Sequence, residues 1–176
     1  LSGLTRLGNV KGVLLSDIAF AGADTLATGY ALMKAASMIP HDLIICGRQT
    51  VDGDTAQTGS ILARMLSVPV ITNVRSIDKI TDTSISCTTR LGKEKAGLPA
   101  VITVERINEL RFPSIRSKVG TVEVKNAADI GADVSKCGLK GSPTVVVKSF
   151  ENKSGKRHCK FIKPSQLQAA VEKGLA

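Results

Sequence analysis

The sequence predicts an α/β fold, an open and mostly parallel sheet with an antiparallel excursion at its edge. Two kinds of segment carry that expectation. Val13-Leu14-Leu15 and Asp42-Leu43-Ile44-Ile45-Cys46 are short apolar runs without alternation, as expected of strands buried on both faces. Each is followed by a stretch of helical periodicity, and strands that alternate with helices of this length imply βαβ units. The third observation is a change of character after Val74, where β-branched and alternating residues replace the helical pattern. A chain of 176 residues fits one domain spanning 1–176, with a substantial core.

Taken in order, Val13-Leu14-Leu15 forms the first strand and ends at Ser16-Asp17. Asp24-Thr25-Leu26 opens a helix that runs to about Met38, with Leu26, Tyr30, Met33 and Ser37 at helical spacing and alanines filling close contacts. Leu43 to Cys46 is the next strand. A helix from near Thr55 to Leu66 follows, with Ile61, Leu62, Met65 and Leu66 as its apolar stripe and Asp52, Asp54 and Thr55 as N-cap candidates. Pro69 restarts the chain as the strand Val70 to Val74. Ile77 to Ile80 and Ser84 to Arg90, with Asp82 at the turn between them, predict the antiparallel excursion. Leu98 to Val104 returns to the core. From Glu105 to about Gly141 the periodicity is weak, which predicts a long loop with at most one short helix; such loops are usually functional or partner-stabilised. Thr144 to Phe150 is the last strand, Asn152 to Lys156 a basic turn, and Pro164 to Leu175 a short C-terminal helix with Leu167, Ala170 and Val171 on one face. Residues 151–176 then form a C-terminal arm.

Charge and composition narrow the function classes. The chain carries 24 Lys+Arg against 15 Asp+Glu, a formal charge of +9. The basic residues are scattered, and four Phe, one Tyr and no Trp leave few platforms for base stacking, so a nucleic-acid partner fits poorly. An acidic partner protein or a polyanionic cofactor suits this distribution better. Cys46, Cys87, Cys137 and Cys159 have no CxxC spacing, and no signal peptide precedes them; free thiols in a reducing, cytoplasmic compartment are expected. His158-Cys159 lacks a matching second pair, so no metal site is expected. No apolar run approaches a membrane span.

The stretch DLIICGRQTVDGDTAQTG, Asp42 to Gly59, carries the most chemistry. A loop that leaves a parallel strand and enters a helix presents free backbone N–H groups, and in open α/β sheets this is where phosphates and nucleotides bind. Glycines Gly47, Gly53 and Gly59 permit close approach of the backbone to a ligand. Arg48 can meet a phosphate, while Gln49, Gln57 and Thr58 can hydrogen-bond a ribose or phosphate. A tight strand-to-helix turn, capped by Asp52 and Thr55, accounts for the same residues without a ligand. Asp52 and Asp54 lie close enough for paired acid/base work, yet no proton-transfer partner is evident. No His/nucleophile pair, Walker lysine loop or Gly-x-Gly-x-x-Gly turn occurs.

In Asp42–Gly59 the order of strand, Gly47-Arg48-Gln49, acidic turn and Gln57-Thr58-Gly59 helix start resembles the signature of electron-transfer flavoprotein beta subunits. The similarity continues through Leu98 to Val104, Ile107 to Ser114, Asp129 to Asp133 and Gly138 to Thr144, nearly the whole chain. It implies a parallel open sheet of the adenine-nucleotide-hydrolase-like, Rossmann-like type. Members carry a further βαβ portion before the region matching Leu1, which implies that part of this sheet lies outside the sequence. It also implies an electron carrier with no catalytic residues of its own, paired with an alpha subunit that carries the main FAD. Electrons then come from a flavin-dependent dehydrogenase, such as an acyl-CoA dehydrogenase.

The resemblance assigns an adenine nucleotide to the loop Gly47, Arg48, Gln49, Thr50, Val51, Asp52, Gly53, Asp54, Thr55, Ala56, Gln57, Thr58 and Gly59. Asp52-Gly53-Asp54-Thr55-Ala56-Gln57 is similar to electron-bifurcating members, which hold a second FAD there; members with a structural AMP tend to show a three-acid turn instead. FAD is favoured over AMP. The same sheet type also serves adenine-nucleotide hydrolases and synthetases, and nucleotide-sensing modules, so both stay open as alternatives. Finally, Asn108-Glu109-Leu110-Arg111-Phe112-Pro113-Ser114-Ile115 resembles the family's recognition loop, which assigns Glu109, Arg111, Phe112, Pro113, Ser114 and Ile115 to partner binding. Ile115 takes the position of the apolar anchor that enters a pocket on the dehydrogenase. Leu110 replaces the usual proline, and Lys118-Val119-Gly120 lacks the usual lysine-rich run. The alternative is that Phe112 and Ile115 pack the loop onto the sheet.

Overall fold

A computed structural model describes residues 1–105, 111–148 and 163–174. The chain divides into two compact units, Leu1–Val145 and Val146–Ala176. The first holds mixed α/β structure of the Rossmann-like kind. Its strands are β1 (Gly12–Leu15), β2 (Leu43–Gly47), β3 (Val70–Ile80), β4 (Ser84–Thr89), β5 (Lys93–Gly97), β6 (Ala100–Val104) and β7 (Val122–Lys125). Its α-helices are α1 (Thr25–Ala36), α2 (Thr58–Leu66) and the single turn α3 (Gly138–Gly141). The second unit contains a 3₁₀ turn at Pro164–Gln166 and α4 (Leu167–Gly174).

The main sheet has the order β2-β6-β3-β4-β5. β2, β6 and β3 are parallel, and β3-β4-β5 form the antiparallel excursion expected from the alternation after Val74. Its core is Ile71, Val74, Ile85, Cys87, Ala96, Ala100 and Ile102. These come from β3, β4, β5 and β6, where the β-branched residues concentrate.

Several expectations need correction. Leu43–Cys46 is not buried on both faces: β2 ends the sheet, and Ile45 is 57% exposed. Leu14 of β1 is exposed as well. The two expected strands over Val70–Val74 and Ile77–Ile80 are one strand, β3, carried through its register shifts by a left-handed Asn73 (φ 55°). β5 was not expected, because Lys93-Glu94-Lys95-Ala96-Gly97 lacks β-branched residues; the turn at Gly92 (φ 135°) brings it against β4. The supposed loop from Glu105 to Gly141 contains β7, which pairs in parallel with β1 from Gly12↔Val122 to Leu15↔Lys125. Residues 144–148 form no strand, and Val145, Val146 and Val147 are exposed.

The two helices meet through small residues. Ala27, Gly29 and Ala31 are the buried face of α1, not the stripe of Leu26, Tyr30, Met33 and Ser37. A Cβ on Gly29 would lie 2.5 Å from Ile61 Cγ2 of α2, so α1 and α2 approach more closely than an alanine there would permit. Asp24 caps α1 by accepting Leu26 N and Ala27 N on Oδ1, both at 3.0 Å. By contrast, α2 starts at Thr58 after Gln57, and none of Asp52, Asp54 or Thr55 caps it.

Candidate functional site

The turn between β2 and α2 lies at the carboxyl end of a parallel strand, where open α/β sheets bind ligands. Residues 48–57 are exposed or half-buried throughout, and Val51 stands wholly in solvent. Asp54 (φ 47°) and Ala56 (φ 54°) are left-handed, a conformation that costs a non-glycine residue free energy of order 1 kcal/mol or more. The turn holds its shape through its own polar groups. Arg48 N donates to Val104 O (2.9 Å), anchoring the turn to β6. Arg48 Nε donates to Gln49 Oε1 (2.8 Å), and Gln49 Nε2 donates to Asp54 Oδ1. Asp54 N donates to Thr50 O (3.1 Å). A hydrogen bond from the Thr50 hydroxyl, then one from Gly53 N, holds the Asp52 carboxyl below its ordinary range.

The glycines play different parts. Nothing stands within 4 Å of a Cβ placed on Gly47, so the floor of the turn is open to a ligand. A Cβ on Gly59 would lie 2.5 Å from Thr103 Cγ2 and 3.5 Å from Cys46 Cβ; Gly59 is small so that α2 can lie against β6 and β2. Thr25 Oγ1 donates to Gln57 Oε1 (3.1 Å) and ties the end of the turn to α1. Beside it, Leu26, Ala56, Gln57, Ser60, Ile61, Arg64 and Met65 line a groove of about 480 Å³.

Behind Arg48 lies a charge cluster. Glu105, directly after β6, faces Arg90 Nε at 2.5 Å, Arg48 Nη1 at 3.7 Å and Arg75 Nε at 3.7 Å. Its side chain is 17% exposed, and Oε1 has no well-aligned hydrogen bond. Three guanidiniums around one carboxylate leave a surplus of two positive charges beside the carboxyl ends of β2 and β6. Such a surplus favours an anionic group. The sequence marks Arg48; Glu105 and Arg90 sit just past β6 and β4 and Arg75 lies within β3, so no local pattern joins them.

Two further carboxylates lie outside the turn. Asp17, just past β1, accepts Ala19 N and Ala127 N at 2.9 Å, and these bonds lower its carboxyl below the ordinary value. Asp24 accepts Thr144 Oγ1 (2.9 Å) and Thr144 N (3.2 Å) as well as capping α1. Burial opposes its charge, but the bonds from Ala27 and Thr144 outweigh that and its carboxyl is lowered. Both carboxylates serve to pin backbone.

Of the expected partner segment, Glu109 lies outside the described residues. Arg111, Phe112, Ser114 and Ile115 are exposed and Pro113 half-buried. Phe112 is 83% and Ile115 98% exposed, so neither is packed on the sheet of the described residues. Arg6 and Thr5 hold this segment from the side, by contacts with Ser114, Ser117 and Gly120.

Cys46, Cys87 and Cys137 are unpaired, and burial pushes each thiol up. His158 and Cys159 lie outside the described residues. Among the described residues, no group of three or more His, Cys, Asp or Glu is placed to hold a metal ion, and no helix is long and apolar enough to cross a membrane.

The family profile of the electron transfer flavoprotein domain matches residues 2–130. The chain is similar to the electron transfer flavoprotein subunit beta of Megasphaera elsdenii, 41% identical over 163 residues, covering 82% of this chain and 59% of that protein. It is similar to Protein FixA of Bradyrhizobium diazoefficiens, 41% identical over 160 residues, covering 81% and 56%. It is also similar to the caffeyl-CoA reductase-Etf complex subunit CarD of Acetobacterium woodii, 39% identical over 154 residues, covering 82% and 58%. The chain thus spans less than two thirds of the length of these relatives.

Proposed function

We propose that this chain, which belongs to the electron transfer flavoprotein family, works as a beta subunit: an electron carrier that holds an adenine nucleotide in the 47–59 turn and pairs with a flavin-carrying alpha subunit. Electrons reach the pair from a flavin-dependent dehydrogenase, of which an acyl-CoA dehydrogenase is one kind. The observation that carries the reading is the turn itself. It stands exposed at the carboxyl end of β2, is open above Gly47, and is held in a left-handed conformation at Asp54 and Ala56 that a simple connection does not require.

The residues present fit a nucleotide. Arg48 supplies a cation for a phosphate, backed by the surplus charge around Glu105. Gln57 and Thr58 supply polar groups for phosphate or ribose, Gln49 being held by Arg48 and Asp54, and Ala56 gives the turn a small wall. FAD is favoured over AMP, on the departure of Asp52-Gly53-Asp54 from a three-acid turn. Bound FAD supplies the redox chemistry, and electron bifurcation is the mode a second FAD in this turn serves; the chain supplies orientation and charge. No catalytic residue of its own is assigned, which sets this reading apart from a hydrolase or synthetase.

The test is to assemble the full-length protein with its alpha subunit and identify the extracted nucleotide by mass. Asp54→Ala with Gln57→Ala is expected to weaken retention, each lost hydrogen bond costing about 1–3 kcal/mol. Unchanged nucleotide content in the double variant counts against the turn. ATP turnover without any flavoprotein partner counts against the function.

A further inference from the structure

Residues 114–120 are fastened to a segment more than a hundred positions earlier in the chain. Arg6 Nε donates to Ser117 O and Arg6 Nη2 to Ser114 O, each at 3.2 Å. Next to it the buried Thr5 hydroxyl accepts Gly120 N at 2.8 Å and donates to Ser2 O at 2.7 Å. A Cβ on Gly120 would stand 3.2 Å from Thr5 Cβ, so the two backbones meet closely. Within the loop, Ser117 N and Ser117 Oγ both donate to Ser114 O, at 3.0 and 2.6 Å. The turn between Ser114 and Ser117 is therefore fixed from inside and from the side. The residue at its tip, Ile115, touches water almost everywhere.

An isoleucine held out in solvent by a fixed turn adds nothing to the fold, and rigid presentation is what lowers the entropy cost of docking. We propose that Arg6 is a positioning residue for partner docking: its guanidinium grips two carbonyls of the Ser114–Ser117 turn and presents Ile115, while Thr5 secures the turn's far end at Gly120. This rests on the reading that the loop docks onto a dehydrogenase. Arg111, Arg116 and Lys118, all exposed, flank Ile115. The surface that fits is an apolar pocket with an acidic rim. A lysine at position 6 keeps the charge but cannot fork across two acceptors.

The test compares Arg6→Ala, Arg6→Lys and Ile115→Ala in the full-length protein assembled with its alpha subunit. Backbone hydrogen exchange over 113–120 reads the clamp, and KM and kcat for electron transfer from the dehydrogenase read docking. Arg6→Ala is expected to speed exchange over 113–120 and to raise KM about fivefold to tenfold with kcat and flavin content unchanged. Arg6→Lys is expected to give a smaller rise, and it carries the test if Arg6→Ala fails to fold. A raised KM in Ile115→Ala beside a parental KM in both Arg6 variants overturns the positioning role while docking stands. A parental KM in Ile115→Ala removes docking, and the positioning role falls with it even if exchange over 113–120 is faster in Arg6→Ala.

Discussion

Adding one methyl group at Gly59 tests whether the start of α2 is seated as described. A Cβ there meets Thr103 Cγ2 at 2.5 Å, about 1 Å inside ordinary contact between carbon atoms. Thr103 cannot turn the methyl away freely, because it is 3% exposed and its Oγ1 accepts Asn73 N at 3.1 Å. Overpacking of this kind costs roughly 1–3 kcal/mol, and the gain from replacing glycine with alanine in a helix offsets at most about 1 kcal/mol. Gly59→Ala is therefore expected to lower stability by about 1–2 kcal/mol. Thr103→Ser removes the offending methyl and keeps the hydroxyl that Asn73 needs. Alone it costs about 1 kcal/mol for the lost buried methyl. Combined with Gly59→Ala it is expected to restore stability to near the parent, because the new methyl occupies the space vacated. Urea unfolding of all four proteins, read as midpoints at unchanged slope, supplies the cycle. A Gly59→Ala protein as stable as the parent, or a double variant whose losses simply add, refutes the close seating of α2 on β6.

Asp24→Asn tests a carboxylate by its pH dependence. The folded carboxyl is lowered from 3.8, so its contribution is present above that value and is lost as pH falls through the folded value. The variant is expected to be less stable at pH 7, because asparagine caps α1 as well as aspartate does but its amide nitrogen cannot accept from Thr144 N and Thr144 Oγ1. Parent and variant curves are expected to converge below pH 4 in acid titrations followed by circular dichroism; parallel curves refute the role. Glu105→Gln leaves Arg48, Arg75 and Arg90 to repel one another. Its loss of thermal stability is expected to shrink in 1 M salt, where screening is strong, and a salt-independent loss counts against the cluster. Ile115→Ala is expected to leave unfolding unchanged, since its side chain touches solvent, and to slow electron transfer from the dehydrogenase; a normal rate removes Ile115 as an anchor.

What the sequence disclosed follows from how local each signal is. β2, β6, the start of β3 and the two long helices each carry their pattern within a dozen residues, and each formed close to where it was expected. β7 has only Val122-Glu123-Val124-Lys125 to mark it, and its partner β1 lies over a hundred positions earlier, so its pairing is tertiary and locally invisible. The valine run from Val145 to Val147 shows the opposite failure: strong strand propensity with no neighbour to pair with among the described residues. The helix cap was misplaced for a related reason. Asp52 and Thr50 satisfy one another within the turn, and Asp54 accepts Gln49, so neither acid is free to reach α2.

The same contrast separates the site's contacts from its supports. The 47–59 turn could be found because its chemistry is contiguous: strand end, arginine, acids, glycines and helix start follow one another. Glu105, Arg75 and Arg90 could not, because each belongs to a different strand or strand end and they become a cluster only when β2, β6, β3 and β4 lie side by side. Arg6 and Thr5 are the extreme case, two ordinary residues of a short 3₁₀ turn that gain meaning from carbonyls and an amide at 114–120. A chain that works as proposed has reason to be built this way: its exposed groups would meet a nucleotide and a partner, whereas its precision would come from what holds those groups still. Mutating supports is accordingly the sharper test of the mechanism. A lost contact weakens binding in any arrangement, but a lost support weakens it only if the geometry described here is the one in use.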